Sequence, residues 1–353
     1  MNAIEINGAS KRYPNFTLGP IDLAIGEGEF FGIFGPPSSG KTSLLKLILG
    51  LVELDRGRVA LGGTDSARLA VSQRGISMVF QNLALFPNMS GRENIIYPLT
   101  ERKASKSEID ARLDAVAEVL HISHILHKNP AQMSGGERQR IALGRALAVK
   151  GRAILLDEPV SALDARLREE MRIELKRLQR MDKQTFVYVS NDEEEVMAVS
   201  DRVAIMDHGQ IIQVGPPDEI YNRPNSISVA KLVGSPPMNL FPGHLSDDGE
   251  RFESPSFTMS LDFPRTAHAG AAATLGVRPE DIHQTSDTGA ACPGIAVSST
   301  EPLGSHTIVN ATIGGRLVKI RTSGRVIGAS ELGTHVSFDQ RRLHLFNADG
   351  ERI

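Results

Sequence analysis

Gly35-Pro36-Pro37-Ser38-Ser39-Gly40-Lys41-Thr42 fits the pattern G-x-x-x-x-G-K-[ST] of a phosphate-binding loop. Its flanks give it the context that pattern needs. The apolar run Phe30-Phe31-Gly32-Ile33-Phe34 reads as a buried strand, and Ser43-Leu44-Leu45-Lys46-Leu47-Ile48-Leu49 reads as a helix that stops at Gly50. Glycines at both ends let the backbone curl, so that successive N–H groups point inward at phosphate oxygens. The helix that starts there adds its positive dipole end. Lys41 can reach the terminal phosphates, and the Thr42 hydroxyl can ligate Mg²⁺. Residues 35–43 are therefore the candidate nucleoside-triphosphate site.

The chain has 353 residues, enough for two or three domains. Its net charge of −3 gives no general electrostatic grip on nucleic acid or anionic lipid, so no nucleic-acid partner is expected. A single cysteine, Cys292, excludes an internal disulfide framework and fits a reducing compartment. No apolar stretch approaches the length of a membrane span, and the N-terminus lacks the layout of a signal peptide. A soluble, cytosolic protein is expected, whose membrane role would come from docking to other subunits.

Before the phosphate loop, Ala3-Ile4-Glu5-Ile6, Phe16-Thr17-Leu18 and Ile21-Asp22-Leu23-Ala24-Ile25 read as three short strands of an antiparallel sheet. Tyr13, in the turn between the first two, could stack on a nucleobase or simply be a half-buried turn residue. Beyond the loop, Arg58–Gly63 looks like a hairpin, and Ile76-Ser77-Met78-Val79-Phe80 is a strand with Gln81 at its end. Residues 82–132 are polar, show helical periodicity over Glu108–Leu120 and read as a helical insertion. His121, His124 and His127 in this insertion have a spacing that some metal sites use, yet they lie near a helix end and no Cys, Asp or Glu stands at ligand spacing.

Ser134-Gly135-Gly136-Glu137 starts a helical run and could present free N–H groups to an anion, as many capped helices do. Ala153-Ile154-Leu155-Leu156-Asp157-Glu158 is more telling. A buried strand that ends in two carboxylates puts both at the carboxyl edge of a parallel sheet, where ligands bind. Asp157 can hold Mg²⁺, and Glu158 is placed to polarise an attacking water. Ser161-Ala162-Leu163-Asp164 follows, then a charged amphipathic helix over 165–181, then the strand Thr185–Ser190 ending at Asn191-Asp192.

With these pieces in this order, the sequence resembles the ATPase subunits of ABC transporters over residues 1 to about 235. Residues 35–42 match the phosphate loop, Gln81 the Q-loop, Ser134–Glu137 the signature motif usually written LSGGQ, Asp157-Glu158 the Walker B pair and Ser161–Asp164 the D-loop. Gly209–Tyr221 and Gly234-Ser235-Pro236-Pro237-Met238-Asn239 look like the exit from the ATPase domain in sugar importers of the maltose and glycerol-phosphate type. Leu275-Gly276-Val277-Arg278-Pro279-Glu280-Asp281 and Glu301-Pro302-Leu303-Gly304-Ser305 look like that group's C-terminal domain. The alternating segments Thr307–Ile313 and Leu317–Arg321, joined by Gly-rich turns, independently read as all-β.

The resemblance implies an α/β fold: a P-loop NTPase core with antiparallel-β and α-helical subdomains (the latter about 82–150), followed by an all-β, OB-like regulatory domain. The boundary is expected between residues 235 and 236. ATP and Mg²⁺ are implied, with Thr42, Asp157 and Gln81 about the metal and Glu158, Gln81 and Asn191 about the reaction. Tyr13, Gly35, Pro36, Pro37, Ser38, Ser39, Gly40, Lys41, Thr42, Ser43 and, from a paired subunit, Ser134, Gly135, Gly136, Glu137 and Asp164 would hold the nucleotide. Implied partners are two permease subunits, a second ATPase subunit (the same chain or a paralogue) and, indirectly, an extracytoplasmic solute-binding protein. The place implied is the cytoplasmic face of the inner membrane, as a peripheral subunit importing a sugar or polyol-type solute. Non-transport ABC ATPases of DNA repair or translation are a competing class, but they usually carry coiled-coil insertions or paired ATPase domains. A regulatory role that uses ATP as a sensor is a third reading.

Two residues depart from the family pattern. Glu137 replaces the usual glutamine. Asn191 stands where a histidine is expected to reach the γ-phosphate; an amide still donates a hydrogen bond but carries neither proton nor charge. A weakened ATP site, working beside a different ATPase subunit, is one expectation; ordinary hydrolysis through Glu158 is the other.

Overall fold

The computed structural model describes residues 1–285, 293–324 and 335–353. Cys292 lies outside the described residues. The chain divides into two compact units, Met1–Pro217 and Asp218–Ile353.

The first unit opens with β1 (Asn2–Tyr13) and β2 (Phe16–Gly26), paired antiparallel across the Pro14-Asn15 turn. Two long strands thus stand where three short ones were expected. The breaks in alternation that look like strand ends are register shifts, at Ile6/Ala9 and Ala9/Lys11, which a bulged pair absorbs without ending. Next come β3 (Phe30–Phe34) and α1 (Lys41–Leu49), then β4 (Arg56–Leu61) and β5 (Thr64–Asp65), which complete a four-stranded sheet in the order β2-β1-β4-β5. After β6 (Ile76–Val79) the helical insertion is α2 (Gly91–Glu101), α3 (Lys106–Val119) and α4 (Gly135–Leu147). Ser90 with Glu93 caps α2 reciprocally, and Ser134 with Glu137 does the same for α4.

The chain then alternates β7 (Ala153–Asp157), α5 (Ala165–Asp182), β8 (Thr185–Ser190), α6 (Glu193–Val199), β9 (Arg202–Asp207) and β10 (Gln210–Gly215). The central sheet runs β10-β9-β3-β8-β7-β6, parallel except for β10. Every residue of β3, β7 and β8 is buried, as expected of strands covered on both faces. Leu44, Leu45 and Ile48 of α1 join Phe31, Ile33, Leu155, Val187 and Val189 in one core, each such side chain contributing roughly 1.5–3 kcal/mol of burial. The register pairs Phe34 with Ser190 and Asp157 with Val189, so β3, β7 and β8 end at one edge.

The division falls at the first residue of α7 (Pro217–Asn222), and the second unit continues with α8 (Ile227–Leu232). Its strands are β11 (Asn239–Leu245), β12 (Arg251–Glu253), β13 (Thr258–Ser260), β14 (Ala272–Val277), β15 (Ile282–Thr285), β16 (Ala296–Pro302), β17 (His306–Ile313), β18 (Arg316–Ser323), β19 (His335–Phe338) and β20 (His344–Phe346). They form antiparallel sheets β13-β12-β11-β14-β20, β15-β19 and β16-β17-β18 around a core that includes Phe241, Phe252, Phe257 and Phe338. The motif reading set the boundary at 235, whereas the compact units divide at Pro217. Physically, α7 and α8 are tied to the β-rich unit: Ala230 packs with Met238 and Phe346, and Arg278 Nη2 donates to the Tyr221 carbonyl at 2.7 Å. Among the described residues no helix is long and apolar enough to cross a membrane.

Arg278 explains the Gly276-Val277-Arg278-Pro279 stretch. It is almost wholly buried, stacks 4.1 Å over the Tyr221 ring, and also donates to the Val233 carbonyl. Replacing it with methionine leaves buried carbonyls short of a donor, at a cost of about 2–4 kcal/mol. The expected outcome for Arg278→Met is unfolding of the second unit at lower urea, followed by circular dichroism, while ATP binding by the first unit persists.

Candidate functional site

At the shared edge of β3, β7 and β8 lies a cavity of about 550 Å³. The phosphate loop supplies Pro37, Ser38, Gly40, Lys41, Thr42 and Ser43 to its wall; Gln81, Glu158 and Asn191 face them. Gly35, Pro36 and Ser39 form the base of the loop. Gly35 has to be glycine, because a Cβ there would stand 2.0 Å from the Met206 carbonyl oxygen. Lys41 is buried, and its ammonium donates to the carbonyls of Gly35 at 2.7 Å and Pro36 at 2.8 Å, so it ties the loop into shape from within. Burial pushes its pKa down; Glu158 and Asp157 oppose that shift.

Asp157 ends β7 at 2% exposure and accepts from Thr42 Oγ1 at 3.2 Å. Burial raises its carboxyl above the ordinary carboxylate range, against the Thr42 hydrogen bond. Thr42, Asp157 and the Gln81 amide oxygen make an all-oxygen donor set, the kind a hard divalent cation such as Mg²⁺ prefers.

The Glu158 side chain is held by two neutral amides. Gln81 Nε2 donates to its Oε2 at 3.2 Å, and Asn191 Nδ2 donates to its Oε1. Its backbone takes φ 50, a left-handed conformation costly for a non-glycine residue. Three contacts fix that turn: its N–H donates to Val189 O at 2.9 Å, and its carbonyl accepts from Ser161 Oγ at 3.1 Å and Gln139 Nε2 at 3.2 Å.

The signature residues are elsewhere. Ser134, Gly135, Gly136 and Glu137 form the first turn of α4 and do not line the cavity. Glu137, the third residue of α4, closes the cap that Ser134 opens: Ser134 N donates to its carboxylate at 2.7 Å and Lys128 Nζ at 2.8 Å. The Lys128 contact and the Ser134 N–H hold its carboxyl down to about 2. A glutamate here is therefore a capping choice that a glutamine could also fill. Asp164 caps α5 through Leu167 N at 2.9 Å and also lies outside the cavity.

Tyr13 does not line the cavity; Phe16 and Asn15 do. Tyr13 pairs with Phe16 across the turn, ring centroids 6.0 Å apart, so its partner holds the facing position. His121 lies just past α3 and His124 in a 3₁₀ turn, and no metal-holding group of three or more His, Cys, Asp or Glu stands among the described residues.

The sequence reading also missed Gln139. At 1% exposure it bridges α4 to the segment after β7, donating to Glu158 O and accepting from Ala162 N at 3.2 Å. Its one signal is a polar residue on the inward face of a helix where Ile141 and Ala142 are apolar. Gln139→Leu leaves Ala162 N without that acceptor, costing about 1–3 kcal/mol. The expected kinetic outcome is turnover at saturating ATP roughly tenfold lower, with a smaller change in KM. A second outcome concerns pH. Because the folded Glu137 carboxyl is held below its ordinary value of 4.5, the stability it contributes is fully present above pH 4.5 and is lost as pH falls toward about 2. Acid unfolding of Glu137→Gln, followed by circular dichroism, should therefore lack that part of the transition.

Comparison with known proteins adds the following. Residues 18–161 match the family model described as ABC transporter, and residues 234–282 match one described as MalK OB fold domain. The sn-glycerol-3-phosphate import ATP-binding protein UgpC of Yersinia pseudotuberculosis is 38% identical over 357 residues, covering 100% of this chain and 99% of the relative. The protein of the same name from Burkholderia mallei is 38% identical over 366 residues, with the same coverage. Among solved structures, the dimeric structure of MJ0796, a bacterial ABC transporter cassette, aligns with TM-score 0.57 and 28% identity over 61% of this chain and 98% of that one. A post-hydrolysis dimer of the same cassette bound to ADP and Pi aligns equally well.

Proposed function

This chain belongs to the ATP-hydrolysing subunits of ABC transporters, and from that membership we propose how its site works and what it serves. It is an ATPase subunit that energises an importer of a small sugar- or polyol-type solute. The observation that carries the mechanism is the Glu158 carboxylate, clamped by two neutral amides and facing the phosphate loop across one cavity.

ATP is the substrate. The N–H groups of residues 35–42, with Lys41 and the dipole of α1, hold its phosphates; Phe16 offers a ring face to the base. Thr42, Asp157 and Gln81 would hold Mg²⁺, which when bound neutralises phosphate charge. Glu158, fixed by Gln81 and Asn191, orients and polarises the attacking water. Ser134–Glu137 do not line this cavity, in keeping with a second ATPase subunit whose signature turn closes it. Two permease subunits, docked near Gln81, and an extracytoplasmic solute-binding protein complete the assembly, with this chain peripheral on the cytoplasmic face of the inner membrane. The solute named for the relatives makes sn-glycerol 3-phosphate the first compound to assay for uptake.

Asn191 makes the site a slow one. A histidine at this place can add a charge-assisted contact to a phosphate oxygen in the transition state; an amide adds only a neutral one. Mg-ATP turnover of the assembled transporter is expected to rise at least about tenfold in Asn191→His, with a new pH dependence near the histidine range, about 6.5. Equal turnover at all pH values would mean that asparagine suffices. Lys41→Ala or Glu158→Gln that still turned over ATP at the native rate would overturn the site assignment itself.

A further inference from the structure

The second unit carries a cavity of its own, of about 540 Å³, for which ATP hydrolysis has no use. It opens where β15 and the adjoining ends of β17 and β18 come together. Its wall is unusual in composition. His283, His306 and Arg321 bring three basic groups to it, and Ser305, Thr322 and Ser323 bring three hydroxyls. The acid in that wall, Glu280, is engaged by the Tyr221 hydroxyl.

Arg321 has no carboxylate or carbonyl partner among the described residues, whereas Arg316 on the same strand donates to Leu240 O at 3.3 Å. A planar guanidinium free of partners is the side chain best suited to grip a tetrahedral oxyanion through two parallel hydrogen bonds. The same wall holds a polar deficit: Gln284 Nε2 and Thr322 Oγ1 are shut from solvent with no hydrogen-bond partner. Such orphaned groups are few in native proteins and call for an explanation. A ligand that turned either group toward the cavity would satisfy it.

Size and chemistry narrow the ligand. The volume is that of a small-molecule site, larger than a bare tetrahedral anion needs. Ile282 is the apolar side chain of the wall, and among the described residues no Phe, Tyr or Trp lines it, so the wall lacks the broad stacking platform that a nucleobase uses. Hydroxyls and an amide suit the oxygens of a short polyol. We propose that this cavity binds a phosphate monoester of a small polyol or sugar, its phosphoryl group held by Arg321 with His283 and His306, and its hydroxyls met by Ser305, Thr322 and Ser323.

The test is calorimetric titration of the full chain with sn-glycerol 3-phosphate, inorganic phosphate and glycerol, in native, Lys41→Ala and Arg321→Gln forms. The expected result is one equivalent of glycerol phosphate bound in both native and Lys41→Ala chains, and at least about tenfold weaker binding in Arg321→Gln. Ring resonances of His283 and His306 should shift on binding. Binding that disappears in Lys41→Ala and ignores Arg321→Gln belongs to the phosphate loop and overturns the proposal. Inorganic phosphate or glycerol binding as tightly as the ester overturns it too, leaving a bare-anion or a neutral-polyol site, as does no binding at millimolar ester. Should Arg321→Gln fail to fold, His306→Gln and the native histidine shifts decide the same question.

Discussion

Everything at the nucleotide site depends on the register of three parallel strands. Because β3 pairs Phe34 with Ser190 of β8, and β7 pairs Asp157 with Val189, their carboxyl ends lie level. The segments leaving those ends must therefore emerge side by side, as in other open parallel sheets that bind ligands at this edge. Lys41, Glu158 and Asn191 are far apart in sequence, yet Glu158 and Asn191 directly follow such ends and Lys41 follows one by a single loop. A one-residue slip of β8 would exchange its two buried faces and carry Asn191 out of reach of Glu158. The apolar cores of these strands are thus what aims the polar groups.

The charges are arranged with matching economy. Asp157 and Lys41 are buried and pay for it in opposite pKa shifts, and each finds hydrogen bonds within the same few residues. Glu158 is treated differently. Two neutral amides hold it, and its strained backbone is fixed by Val189, Ser161 and Gln139. Neutral donors orient this carboxylate without pairing it to a cation, which suits the role proposed for it. Gln139 also ties the turn that carries Glu158 to α4, whose first turn holds Gly135, Gly136 and Glu137. The glycines of that turn pack on the segment after β7, with a Cβ at Gly136 falling 3.0 Å from Leu163 Cδ2.

Much of this was legible in the sequence because it is local. A phosphate loop is a backbone shape, and its glycines, lysine and threonine stand within eight positions. The strand before it, the helix after it, and the charged helix that became α5 carry their own periodicity. What was not legible depends on long-range packing. Tyr13 and Phe16 are equivalent aromatics either side of a two-residue turn, and only the fold decides which ring faces the cavity. Gln139 looks like any polar helix residue until α4 is packed against the end of β7. The bulges that fuse the first strands, and the attachment of α7 and α8 to the second unit through Arg278, are likewise set by tertiary contacts. Asn191 was the reverse case: its departure was visible in sequence, and the structure supplied its contact with Glu158.

The cavity and the signature turn lie on different parts of one unit, so the central claim is that a complete ATP site needs two subunits. The most direct measurement is the molecular mass in solution of full-length Glu158→Gln, which should bind ATP and hydrolyse it too slowly to release the pair. The expected result is a monomer without nucleotide that doubles in mass with Mg-ATP and returns to monomer when Ser134 is also replaced by a bulky residue. A chain that binds ATP at saturation yet stays monomeric alone, and stays so when mixed with its transporter's other ATPase subunit, would contradict the account.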